Sequence, residues 1–129
     1  MTIELDHMIV SARDQRASAR RLAEFLGVRW APSGVGPFSP VYVNEGLTID
    51  FIDDEGDFPV QHVCFRVDDD AFDAILGRIQ AASIPYRSSV RGPYDRRVNT
   101  DYGVRMVYWN DPDGHQWEML TVSYARPPA

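Results

Sequence analysis

Four side chains in this sequence have the right chemistry to hold a cation and stand where such side chains are out of place: His7, Asp50, His62 and Glu118. Each sits among apolar residues in a stretch that reads as a β-strand. An unpaired charge is expensive to bury, so each must be exposed, paired or bound to a metal. Taken singly, a strand histidine reads as a hydrogen-bonded core residue and a strand carboxylate as a solvent-exposed one. Taken together they read differently. Imidazole and carboxylate are the donors that Zn, Fe, Mn, Co and Ni accept. Two histidines and one carboxylate with open positions also suit a non-haem Fe(II) site.

The elements that must position them repeat. His62 follows His7 by 55 positions, and Asp69 follows Asp14 by the same interval. Ile3–Val10 reads as a strand with Ile3, Leu5, His7 and Ile9 on one face. Asp14 is placed to cap a helix through Leu26, with Ala19, Leu22, Ala23, Phe25 and Leu26 at helical spacing and Gly27 as its stop. Short strands follow at Val28–Ala31 and Val41–Asn44, then a longer one at Leu47–Ile52, where Thr48, Asp50 and Ile52 share a face. After the acidic stretch Asp53–Asp57 the pattern restarts. Val60–Val67 is a strand with His62, Cys64 and Arg66 on one side. Asp69 is placed to cap a helix carrying Phe72, Ile75, Leu76 and Ile79. Tyr86–Val90, Val104–Trp109 and Gln116–Val122 complete the second set. The expected fold is α+β: two βαβββ modules at 1–53 and 60–123, a linker at 54–59, and a frayed tail at 124–129. One such half buries too little surface to stand alone. Paired, two curved mixed sheets would wrap a common metal cleft with helices outside, forming a single domain over 1–129. The acidic linker lacks the ligand pattern of a calcium loop.

Composition narrows the function. The chain has 129 residues, 44% of them hydrophobic and 25% charged, values typical of one globular domain. A net charge of −6 argues against nucleic acid as a partner. A single cysteine, Cys64, excludes an internal disulfide framework. No apolar run is long enough for a membrane span, and the N-terminus does not read as a signal peptide. The expectation is a soluble cytoplasmic protein.

The closing stretch Asn110-Asp111-Pro112-Asp113-Gly114-His115-Gln116-Trp117-Glu118 is a strand–turn–strand signal. Together with Leu5-Asp6-His7-Met8-Ile9-Val10, the His62 strand and the repeat, it resembles the vicinal oxygen chelate superfamily, the glyoxalase I, bleomycin resistance and extradiol dioxygenase group. The resemblance covers nearly the whole chain. It implies one divalent metal ion (Zn, Ni, Mn, Co or Fe) on His7, His62, Glu118 and Asp50, holding two neighbouring oxygens of a small-molecule substrate. It also implies a homodimer, since members often pair modules across subunits. Glyoxalase-like lyase or isomerase chemistry through an enolate matches this set most closely, with Glu118 as the base and Tyr108 as a donor to a substrate oxygen. The sequence departs from glyoxalase I in carrying Asp50 where Glu or Gln is usual. An extradiol-type dioxygenase is the alternative, but His115, the spare histidine, falls on the opposite face from Glu118 and reads as a turn residue. In a fosfomycin-type transferase Tyr108 would match, and Ile9 would stand where a hydroxyl residue is expected. A non-catalytic bleomycin-binding protein is the remaining alternative, although such binders generally lack the ligands. The long polar loop Arg91–Gly103 concentrates arginines in an acidic chain. From it Arg97 and Tyr102, and from the His62 strand Arg66, are the candidate contacts for an anionic substrate.

Overall fold

A computed structural model of the chain describes residues 1–127; Pro128 and Ala129, the end of the expected tail, lie outside the described residues. The chain forms two compact units, dividing after Pro59. The fold is α+β, and both units are βαβββ modules with the same strand order.

The first unit runs β1 (His7–Ala12), α1 (Gln15–Leu26), β2 (Arg29–Trp30), β3 (Ser39–Asn44) and β4 (Leu47–Asp53). Its sheet has the order β1-β4-β3-β2, parallel between β1 and β4 and antiparallel elsewhere. Asp14 caps α1 by accepting from the Ala17 amide. Gly27 ends it at φ 72°, a left-handed conformation that glycine adopts without a Cβ penalty. The helix lays Ala19, Leu22, Ala23 and Phe25 on the strands, and these are buried with Val10, Ala12, Val41, Ile49 and Phe51. The other face of the sheet carries His7, Ile9, Thr48 and Asp50.

The acidic stretch after β4 is pinned to this unit. Arg13 Nη1 donates to the carbonyls of Asp54 (2.8 Å) and Gly56 (2.6 Å), and its guanidinium lies 4.8 Å from the Phe58 ring centre. Gln15 and Asp53 exchange two hydrogen bonds between side chain and backbone.

The second unit runs β5 (His62–Arg66), α2 (Asp69–Ala81), β6 (Tyr86–Arg87), β7 (Met106–Asn110) and β8 (Gln116–Leu120), in the sheet order β5-β8-β7-β6. Phe72, Ile75, Ile79, Val107, Trp109, Trp117 and Met119 are among its buried apolar residues. Asp111 builds the β7–β8 turn. Its Oδ1 accepts from the amides of Asp113 (3.0 Å) and His115 (2.9 Å), and its Oδ2 from Trp117 Nε1. Gly114 holds φ 90°, and a Cβ there would come within 3.2 Å of Val60. The Asp-Pro-Asp-Gly stretch is thus fold chemistry that delivers Glu118 to its place on β8.

The structure moves several boundaries. The helix α2 is capped by Asp68, not Asp69: Asp68 is extended and accepts from the Ala71 amide. Asp69 is the first helical residue, and its carboxylate pairs with Arg105, which also reaches Asp73. The strands β1 and β5 open at His7 and His62 rather than before them. On β1 this follows from its partner β4, which begins at Leu47, leaving residues 1–6 with no ladder beyond one bond from Thr48 to Asp6. The strand β6 stops at Arg87, whose guanidinium takes the carbonyls of Ser89 and Val90 and turns the chain. Within the expected tail, the Tyr124 hydroxyl donates to the Glu118 carboxylate.

Candidate metal centre

The repeat extends to the register of the sheets. In the first unit His7 pairs with Thr48 and Ile9 with Asp50. In the second His62 pairs with Gln116 and Cys64 with Glu118. The two histidines therefore occupy equivalent positions, as do the two carboxylates. In each unit they face away from the buried layer, because strand side chains alternate.

In the first unit His7 and Asp50 line a cavity of about 320 Å³ with Asp6, Phe38, Tyr42 and Thr48. His7 Nδ1 donates to Asp6 Oδ2 at 2.7 Å. That bond, helped by the charges of Asp6 and Asp50, raises the histidine above its ordinary value. Partial burial raises Asp50, and His7 opposes the rise.

The second unit holds the tighter cluster. Glu118 is 0% exposed. Its Oε1 lies 2.9 Å from His62 Nε2, and the Tyr124 hydroxyl donates to both carboxylate oxygens at 2.8 Å. Across the strands a single row runs Cys64–Glu118–Tyr108–Arg87. Burial, then the Glu118 carboxylate, pushes the Cys64 thiol up to about 12, so it stays protonated at neutral pH. Tyr108 is raised, chiefly by burial, and so is Tyr124. Both remain hydroxyl donors. A cavity of about 600 Å³ opens here, lined by His62, Cys64, Arg66, Leu120, Ser123 and Tyr124.

The His62 ring tests whether a metal fits. Its Nδ1 faces Gln116 Oε1, an amide oriented by its own Nε2 donating to the Val90 carbonyl at 2.7 Å. Its Nε2 faces the Glu118 carboxylate. Both neighbours are acceptors, and a neutral imidazole has only one N–H. An imidazolium donating on both sides would satisfy them, and so would a cation held by Nε2 and Oε1, which would leave Nδ1–H for Gln116. These donors fit a divalent ion of the zinc, iron or manganese kind. Among the described residues no three His, Cys, Asp or Glu side chains gather around one point; each unit by itself brings one histidine and one carboxylate.

Of the other candidates, Arg66 lines the larger cavity, and Tyr108 is buried beside Glu118. Arg97 and Tyr102 are exposed and do not line it. His115 is buried, and its Nδ1 accepts from the Gln61 amide, a structural bond matching its reading as a turn residue. Two residues escaped the sequence. Tyr124 lay in a Pro-rich tail with no periodicity to mark it. Arg87 is 7% exposed, with Nη2 bonded to Asn110 Oδ1 at 3.0 Å, and only its place in the row beyond Tyr108 reveals it.

No known family profile matches the chain, and no curated protein does. Solved structures do. The chain is 43% identical to Oxidase ChaP-H2, covering 97% of this chain and 98% of that one with a TM-score of 0.85. It is 43% identical to Oxidase ChaP-H1, covering 97% and 100%, at 0.83. The fosfomycin resistance protein FosX from Mesorhizobium loti is 19% identical over 96% of each chain, at 0.69, a likeness of fold alone. The chain belongs to the vicinal oxygen chelate superfamily. Both units have the βαβββ architecture of vicinal oxygen chelate modules, and the two relatives at 43% identity are named oxidases. Among the described residues no helix is long and apolar enough to cross a membrane.

Proposed function

We propose that this protein is a metal-dependent oxidase of a small oxygenated substrate, with dioxygen accepting the electrons that the substrate gives up. The observation that carries the reading is whole-length identity of 43% to two proteins named oxidases, in a chain whose buried Glu118–His62 pair suits a divalent cation. His7, His62 and Glu118 would hold the ion, with Asp50 as a further ligand. Such an ion supplies Lewis-acid stabilisation of a substrate oxyanion and, if redox-active, a path for electrons to dioxygen. The chain's own groups do the rest. Glu118, fully desolvated, accepts a substrate proton. Tyr108 donates to a substrate oxygen. Arg66, in the cavity wall, holds an anionic part of the substrate; Arg97 and Tyr102, outside the cavity wall, would reach it only if their loop moved. The lyase–isomerase chemistry expected first from sequence draws support only from relatives too distant to speak for more than fold.

The test is oxygen uptake with enolisable and catechol-type acids, after loading with Fe, Mn, Ni, Co or Zn in turn. Substrate loss matched by oxygen uptake, with the oxygen recovered as hydrogen peroxide or water, supports an oxidase; both atoms of labelled dioxygen recovered in the product would indicate the dioxygenase alternative instead. Substrate turnover without oxygen uptake, but with deuterium entering from the solvent, supports glyoxalase-type isomerisation instead.

Tyr124 yields a smaller prediction. Its hydroxyl occupies both oxygens of Glu118, lone pairs that a cation needs. Removing a hydrogen bond to a charged group is worth about 1.5–3 kcal/mol. Tyr124→Phe is therefore expected to bind metal roughly tenfold or more tightly in chelator competition. Weaker binding would show that the hydroxyl supports the ligand rather than competing for it.

A further inference from the structure

We propose that Gln116 and Asp6 are positioning residues that hold the two histidines by Nδ1, so that Nε2 is the nitrogen each presents as a ligand. The inference rests on the metal reading above and adds the residues that set ligand geometry.

In the second unit Gln116 stands directly across from His62 in the β5–β8 register. Its amide cannot rotate freely. The Nε2 end is tied to the Val90 carbonyl, where only a donor is accepted, so Oε1 must face His62 Nδ1. Val90 is itself held, since its carbonyl also takes Arg87 Nη2. A chain of contacts thus runs from the buried Arg87 through Val90 and Gln116 to the imidazole and ends at Glu118.

In the first unit the position equivalent to Gln116 is Thr48. A threonine side chain is too short to play the same part. Asp6, the residue before His7, takes the task, with Oδ2 on Nδ1 at 2.7 Å. Two unrelated residues, reaching from different places, fix the same ring nitrogen in two equivalent histidines. A bond needed only to pair β5 with β8 would have no reason to find a counterpart at His7. An acceptor on Nδ1 fixes the tautomer and ring orientation and makes the opposite nitrogen a better ligand, and losing such a partner costs about 10–100-fold in metal affinity.

The experiment uses zinc as a diamagnetic probe on the full chain labelled with ¹⁵N-histidine. In the wild type both His7 and His62 are expected to bind through Nε2 and to keep a slowly exchanging Nδ1–H. Gln116→Leu, which keeps the bulk and loses the acceptor, is expected to bind zinc about 10–100-fold more weakly in chelator competition, with fast exchange or loss of the His62 Nδ1–H signal. Gln116→Glu keeps an acceptor and is expected to restore affinity to within a few-fold. Asp6 is exposed, so Asp6→Ala leaves the fold intact and tests His7 independently. Ligation through Nδ1, or unchanged affinity and exchange in both Gln116→Leu and Asp6→Ala, overturns the inference while leaving the metal reading standing. A wild type that binds neither zinc nor any other of the five metals overturns the metal reading itself. If Gln116→Leu does not fold, Gln116→Glu and Asp6→Ala decide.

Discussion

Glutamine at position 118 is expected to leave a folded protein that does not turn over. The carboxylate is wholly buried between the Nε2 of His62 and the hydroxyl of Tyr124, and Cys64 and Tyr108 flank it in the same row. All four are donors or potential donors, so the site is built around negative charge. An amide keeps the shape and one acceptor but turns an N–H₂ group towards one of those donors. It also removes the one carboxylate that is fully desolvated among the described residues. Loss of a general base costs about 10²–10⁴ in rate, and loss of a charged ligand adds to that. Oxygen uptake and substrate loss are the readouts, with thermal unfolding as the control for folding. A Glu118→Gln enzyme with full turnover would reject this carboxylate as base.

Alanine at position 62 is expected to empty the second unit's half of the centre. The effect should exceed the roughly 10–100-fold that an outer partner is worth, because the ligand itself is gone. Cys64 shares the face, but burial and the Glu118 carboxylate hold its thiol protonated, so a metal would first have to displace that proton. Elemental analysis after separate exposure to Zn, Ni, Mn and Fe gives the answer. Equal metal in His62→Ala and the wild type would remove His62 from the ligand set.

The repeat was legible because it is written twice. His7 and His62, Asp50 and Glu118 stand in equivalent register, and the alternation of apolar residues on β4 and β5 places Asp50 and His62 on the polar faces of their strands. A mid-strand glutamate between Trp117 and Met119 was legible for the same reason: both neighbours are buried, and the charge needed an explanation. Contacts made across long sequence separations were not legible. Whether Asp68 or Asp69 caps α2 depends on which carboxylate Arg105 claims from the far side of the unit. Where β1 begins depends on where β4 begins, which no local pattern in residues 1–6 records. Tyr124 binds Glu118 from a segment whose Pro-rich composition signals only an end to regular structure. Gln116 reads as an ordinary polar strand residue until the Val90 carbonyl is seen to lock its amide.

Tyr102 holds φ 60° and is 101% exposed. A left-handed backbone costs an L-residue roughly 1–2 kcal/mol, and a glycine in its place returns part of that gain through its looser unfolded chain. For a protein engineer the position is an opportunity: Tyr102→Gly should gain up to about 1 kcal/mol in denaturant unfolding, since the aromatic ring packs against nothing that would be lost. The same variant separates two kinds of value. If stability rises and the Michaelis constant is unchanged, the tyrosine is a plain liability of the loop. If stability rises while the Michaelis constant climbs, the chain has been exchanging thermal robustness for an aromatic surface held out to its substrate.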